Sequence, residues 1–212
     1  MRLVDPSFAT DPQTAAYYQQ RADEYDEWYL GLGGFAGRTR PGWAAAVAQV
    51  ISLLQSLPAA RTLDVACGSG FLTRHLPGSV LGLDRSPAMV TQTRARLQHG
   101  TAVIGDALRL PLADHAVERV FTGHFYGHLP PPERNVFLTE SARAGGELIV
   151  VDSARRSGVE PEQVQERMLN DGSRHRVFKR YLTAPQLAAE IGGEVLLAND
   201  WFVAARAERL RR

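Results

Sequence analysis

The stretch 63-LDVACGSG-70 decides the fold. Its apolar start reads as the end of a buried strand, and 68-GSG-70 turns the chain into a following helix. Gly68 and Gly70 permit positive φ and let a ligand approach the backbone closely. The helix beyond offers unpaired N–H groups and a partial positive charge. In an open α/β sheet, ligands sit beyond the carboxyl ends of the strands, where the strand order reverses. A ligand is therefore expected at this turn.

Two details bear on which ligand. A G-x-G-x-x-G pattern counted from Gly68 puts Thr73 where the third glycine belongs, which speaks against a dinucleotide. Asp64 lies in the strand just before the turn, where a carboxylate repels a pyrophosphate and attracts a cation.

Outward from the turn, the chain alternates short apolar runs with amphipathic segments. Strands are expected at 61–66, 79–84, 101–107, 117–123 and 146–153, with helices near 70–76, 86–98 and 131–143. Short buried strands alternating with helices imply right-handed crossovers and a mainly parallel sheet. Further helices are expected at 14–30, 42–57, 159–171 and 185–191, and the glycine-rich 31–42 reads as a mobile connection. Strands at 194–199 and 201–207 read as an antiparallel hairpin closing one edge of the sheet.

Two more acids end strands. Asp84 closes the second and can accept hydrogen bonds from both hydroxyls of a ribose. Asp106 closes the third and can accept from an exocyclic amine of a base. A cationic end, a ribose and an aminopurine together describe S-adenosylmethionine. Each of these acids also has a plain alternative as a turn or helix cap.

These motifs resemble those of the class I S-adenosylmethionine-dependent methyltransferases, of the small type related to ubiquinone- and menaquinone-biosynthesis enzymes. The segment 64-DVACGSG-70 is similar to the family's D/E-x-G-x-G-x-G loop, with Ala66 in place of the first glycine. The resemblance implies that Asp84 holds the ribose, with Arg85 beside it and Met89 as an apolar contact on the adenine side. It implies that Asp106 and Ala107 read the adenine, and that Tyr18, Ala22, Tyr25 and Asp26 belong to a lid over the cofactor. It further implies a Rossmann-like seven-stranded sheet of order 3-2-1-4-5-7-6 with helices on both faces. The implied single domain spans 1–212: an N-terminal helical lid at 1–57, a cofactor-binding core at 58–153, and an acceptor-side segment with closing strands at 154–212.

Methyl transfer from a sulfonium is an in-line displacement with a neutral leaving group, so alignment and water exclusion are the main demands. A base is needed only for an unionised acceptor. His124 and His128, in the loop after the fourth strand, are the candidates for that role, and share one face if the loop is helical. This loop, 122-TGHFY-126, lacks the Asn/Asp-Pro-Pro-aromatic pattern of enzymes that methylate bases of nucleic acids, so a small-molecule acceptor is expected. Arg176, Lys179 and Tyr181 are expected to bind an acidic or phenolic group of it. The alternatives are a non-methylating S-adenosylmethionine-binding protein of the same fold and a nicotinamide enzyme.

Composition narrows the partners. The 212 residues are 44% hydrophobic and 22% charged, with a net charge of +1. Such a balance gives no drive toward nucleic acid or a membrane surface. One cysteine, Cys67, excludes an intrachain disulfide and reads as a small filler of a tight loop. Residues 1–12 lack the apolar core of a secretory signal and no apolar run approaches a membrane span, so a cytoplasmic location is expected. No metal is expected, and a homodimer is allowed.

Overall fold

The computed structural model describes residues 8–208, so the reading of residues 1–7 as the start of a lid without a leader lies outside the described residues. Five parallel strands form the body of a seven-stranded sheet: β1 (Ala60–Val65), β2 (Gly78–Asp84), β3 (Gly100–Ile104), β4 (Val117–Gly123) and β5 (Gly145–Ser153). An added antiparallel pair, β6 (Glu162–Met168) and β7 (Arg174–Arg180), forms a separate two-stranded sheet. The last two strands, β8 (Glu194–Ala198) and β9 (Phe202–Glu208), return to the main sheet. Its order is β3-β2-β1-β4-β5-β9-β8, with β9 antiparallel to both neighbours. This is the expected topology, renumbered because the β6–β7 hairpin intervenes.

Alternate residues of the central strands feed two cores. Leu63, Val120, Leu148 and Val203 face one side of the sheet, and Phe121, Ile149 and Phe202 face the other. The first side is covered by α5 (Pro131–Ala144) and α6 (Ala184–Ile191), through Phe137, Leu187 and Ile191. The second is covered by α3 (Trp43–Ser56), through Trp43, Val47, Val50 and Leu54. Burial on both faces explains why these strands read as nearly continuous apolar runs. Helix α4 (Pro87–Arg96) starts where Ser86 caps the Met89 N–H at 3.2 Å, with Pro87 in the first turn.

Four expectations are corrected. Residues 159–171 are not helical, because β6 alternates outward and half-buried side chains along its length and pairs with β7. The turn between them is Asp171-Gly172, with Gly172 at φ +85° and the Ser173 N–H bonded to Asp171 Oδ1 at 2.8 Å. The segment 70–76 holds only a 3₁₀ turn at Thr73–His75. The expected helix at 14–30 is broken into α1 (Pro12–Gln20), a 3₁₀ turn at Arg21–Glu24, and α2 (Glu27–Leu30). Asp26, at the head of α2, makes no capping bond and reaches the Ser69 hydroxyl instead, at 2.5 Å. The glycine-rich 31–42 carries a 3₁₀ turn at Gly33–Phe35 and is tied back by Arg40 Nη1, which donates to the Trp28 carbonyl at 2.8 Å.

Candidate active site

The carboxyl ends of β1, β2, β3 and β4 open onto one cleft of about 690 Å³. The strand order reverses between β1 and β4, which places the cleft at the switch point. Its walls include Ala66, Gly68, Asp84, Arg85, Ala107 and His124 from the core, with Phe8, Tyr18 and Tyr25 from the N-terminal segment. A smaller chamber of about 250 Å³ shares Tyr25, Ala66 and Gly123 with the cleft and adds Asp64, Tyr29 and Phe71.

Asp64 is 2% exposed, and its Oδ2 accepts from Thr73 Oγ1 at 2.6 Å. Burial pushes its carboxyl up to about 8, against the Thr73 bond, and the Asp84 charge adds to the rise. The chamber beside it is walled by Tyr29 and Phe71, stacked 4.0 Å apart. A carboxyl group among aromatic faces is a setting for a cation.

Asp84 is held from two directions. Its Oδ2 accepts from the Gly68 N–H and its Oδ1 from the Ser86 N–H, each at 2.9 Å. Burial raises its carboxyl above the ordinary range, and these backbone donors oppose that rise. Each oxygen keeps a lone-pair direction that the single backbone bond does not use, and the group lines the cleft.

The loop conformation follows from its residues. Gly68 has φ +57°, and a side chain there would meet the Tyr25 ring at 3.5 Å. Ala66 also has positive φ, at 58°, a conformation that costs an L-residue energy. Gly70 does not line the cleft, and a Cβ there would come within 3.0 Å of the Thr93 Cα on α4, so its role is close packing. Met89 is fully buried and does not line the cleft either. The third strand ends at Ile104 and not at 107, so Asp106 lies in the turn beyond it; its Oδ1 accepts from the Leu108 N–H at 2.9 Å and it lies outside the lining, whereas its neighbours Gly105 and Ala107 belong to it. Cys67 is buried, and burial raises its thiol well above the usual value, which makes it an inert filler.

The two histidines differ. His124 lines the cleft with φ +62°, and neither ring nitrogen has a hydrogen-bond partner. Its ring lies edge-on to Trp28 at 4.8 Å and near Tyr29 at 5.8 Å. Burial lowers its pKa to about 3, so the imidazole is neutral. His128 stacks on Phe8 at 4.6 Å and donates from Nδ1 to the Phe178 carbonyl at 2.5 Å, away from the cleft lining. His124, at φ +62°, stands outside the 3₁₀ turn Tyr126–His128, so the two histidines do not share one helical face.

The acceptor-side expectations are redistributed. Arg176 is exposed on the outer face of β7. Lys179 is buried and paired with Asp152 at 2.5 Å, and Tyr181 accepts from Gln165 at 2.7 Å. The sequence reading missed Asp152, whose Oδ2 also accepts from the Gly127 N–H at 2.6 Å and fixes the loop that carries His124. It also missed Arg21 and Arg167, which lie behind Tyr17 and Tyr18. A strand reading of 162–180 would have found Arg167, which falls on its inward face.

The N-terminal segment is tied over the cleft at several points. Gln19 Oε1 accepts from Ser86 Oγ at 2.7 Å, Asp26 holds Ser69, and Glu133 accepts from the Ala9 N–H at 2.8 Å. Among the described residues no helix is long and apolar enough to cross a membrane, and no group of three His, Cys, Asp or Glu could hold a metal.

The comparisons agree with this geometry. Residues 63–150 match the methyltransferase domain family. The chain is 29% identical over 129 residues to an uncharacterised methyltransferase of Mycobacterium tuberculosis (strain ATCC 25618 / H37Rv), covering 59% of this chain and 53% of that protein. It is 31% identical over 169 residues to a demethylmenaquinone methyltransferase of Parafrankia sp. (strain EAN1pec), covering 68% of this chain and 63% of that one. It thus spans about half to two thirds of the length of these relatives. The DhpI–SAH complex superposes with a TM-score of 0.71 at 24% identity, over 94% of this chain and 97% of that one, and shows the same fold. A cleft at the sheet's switch point, acids at the ends of β1 and β2, and a domain profile matched over residues 63–150 converge: the chain shares the fold of the class I S-adenosylmethionine-dependent methyltransferases and is similar to them in sequence.

Proposed function

We propose that this protein transfers the methyl group of S-adenosylmethionine to a small-molecule acceptor. The observation that carries the reading is the pair Asp64 and Asp84, at neighbouring strand ends and lining adjoining chambers of different character that share Tyr25, Ala66 and Gly123. The aromatic chamber beside Asp64 suits the sulfonium and ammonium end. The larger cleft suits the adenosine, with Asp84 toward the ribose hydroxyls and Leu83, Ala107 and Phe125 as apolar contacts. Ala66, Gly68 and Arg85 border the same cleft, and Tyr18 and Tyr25 close it from the lid.

Catalysis on this reading rests on alignment and dryness. The lid ties at Gln19 and Asp26 exclude water from the sulfonium. His124, held at positive φ against the cleft, offers a neutral ring nitrogen to accept a hydrogen bond from the acceptor. With its pKa near 3 it is a weak base in the free protein, so it orients the nucleophile more than it removes a proton. His128 supports the loop from behind. The test is release of S-adenosylhomocysteine across a panel of small acceptors. Production that depends on the acceptor supports the reading, and cofactor binding without product across carboxylic, phenolic and phosphorylated acceptors counts against it.

A further inference from the structure

Two cations sit behind the lid tyrosines without an acid. Arg21 is 7% exposed, and its Nη1 donates to the Tyr17 hydroxyl at 2.7 Å. Its guanidinium also lies over the Tyr25 ring, 4.9 Å from the centroid. Arg167, on the inward face of β6, donates from Nη1 to the Tyr18 hydroxyl at 3.3 Å and from Nη2 to Gln165 Oε1 at 3.1 Å. Among the described residues neither guanidinium has a carboxylate within ion-pair distance, whereas Arg119, Arg134, Arg143 and Arg180 each have one. Arg21 is buried and Arg167 half-buried, and charges so far out of water are normally paired, because removing them from it is costly. Two like charges sharing a tyrosine cluster add repulsion to that cost.

The position of the pair has a meaning. Tyr18 and Tyr25, which the two arginines touch, line the cleft itself. His175 packs on Tyr17 at 5.0 Å from the β7 side, and Lys179 is already neutralised by Asp152. The uncompensated charge therefore belongs to Arg21 and Arg167, at the seam between lid and hairpin. Guanidinium forks beside phenolic hydroxyls match the oxygens of a carboxylate or a phosphate-like group.

We propose that the methyl acceptor carries an oxyanion, held by Arg167 and Arg21 with the hydroxyls of Tyr17 and Tyr18. The inference rests on the methyltransferase reading and names its substrate class. It replaces the exposed Arg176 and the paired Lys179 as the acid-binding groups. Binding of an anion there draws lid and hairpin together, because Arg21 comes from one and Arg167 from the other.

The test uses inorganic phosphate and acetate as probes, titrated into the full chain saturated with S-adenosylhomocysteine, at constant ionic strength. Saturable binding of at least one probe is expected, with phosphate reporting a tetrahedral acceptor group and acetate a planar one. Arg167→Gln should weaken it by about tenfold or more, and Arg167→Lys by less, since the charge remains without the fork. If Arg167→Gln lowers only the melting temperature and leaves probe affinity unchanged, the arginine is a structural tie and the proposal is wrong. Failure of both probes to bind saturably also overturns it. Should S-adenosylhomocysteine itself fail to bind, the methyltransferase reading falls separately, and the same titration on the unliganded chain still decides the anion site.

Discussion

Thr73 Oγ1 donates to Asp64 Oδ2 at 2.6 Å, joining the strand that precedes the glycine turn to the residue standing where a dinucleotide fingerprint needs its third glycine. The departure from the dinucleotide pattern and the retained acid thus form one unit. The hydroxyl satisfies a carboxyl group that burial pushes up to about 8.

At neutral pH that carboxyl is protonated in the free protein. A sulfonium or ammonium beside it favours the anion, so cofactor binding should expel roughly one proton near pH 7. Calorimetry in buffers of different ionisation heat measures the release. Asp64→Asn should release none and bind more weakly. The same group shapes stability. Its folded pKa lies above the unfolded value of 3.8, so the folded state holds more protons in between, and stability falls as pH rises from about 4 to about 8. The Asn variant should flatten that part of the decline in a urea series; an unchanged slope argues for an ionised Asp64.

Asp84→Ala should weaken cofactor binding by about tenfold or more, from the loss of charge-assisted hydrogen bonds. It also frees the Gly68 and Ser86 N–H groups, so a modest fall in melting temperature is expected alongside. Fluorescence titration with S-adenosylhomocysteine reads the affinity. An unchanged dissociation constant would place the ribose elsewhere.

The lid tie between Asp26 and Ser69 predicts a kinetic effect. Asp26→Ala removes this charge-assisted bond, which costs about 1.5–3 kcal/mol, together with the ion pair of Asp26 Oδ2 and Arg96 Nη1 at 2.7 Å, and both tie the segment down over the glycine turn and α4. Cofactor dissociation should therefore accelerate about tenfold or more, with amide exchange of residues 17–30 rising in parallel. Equal dissociation rates in the variant and the parent contradict a closing role.

Lys179 and Asp152 form a buried ion pair beneath the His124 loop. Although burial opposes it, the ammonium holds Asp152 below the ordinary carboxylate range. Lys179→Met leaves that carboxylate with its backbone donors but without its counter-charge, and should destabilise the protein by about 3–5 kcal/mol. Adding Asp152→Asn should recover part of the loss. Chemical denaturation of the single and double variants measures the coupling, and additive losses would mean the two residues act independently.

The sheet was legible because its strands are buried on both faces and its helices carry Pro87, Pro131 and Pro185 in their first turns. The cleft followed from the acids at the ends of β1 and β2. The acceptor side was less readable. The run 162-EQVQERM-168 is polar, and its alternation appears only when the Asp171-Gly172 turn is taken as a hairpin signal. That misreading hid Arg167. The split of the N-terminal helix was also hidden, since Asp26 gives up a local cap for a partner 43 residues away. Asp106 and Met89 show a different limit: a position at a strand end or in a first helical turn does not say whether the side chain faces the cleft or packs inward.

The most direct measurement is a calorimetric titration of the full chain with S-adenosylmethionine and, separately, with NAD. Saturable one-to-one binding of S-adenosylmethionine at roughly micromolar strength, with NAD bound far more weakly or not at all, is the expected result. Tighter binding of NAD, or no saturable binding of S-adenosylmethionine, would contradict a cleft built around a sulfonium nucleoside.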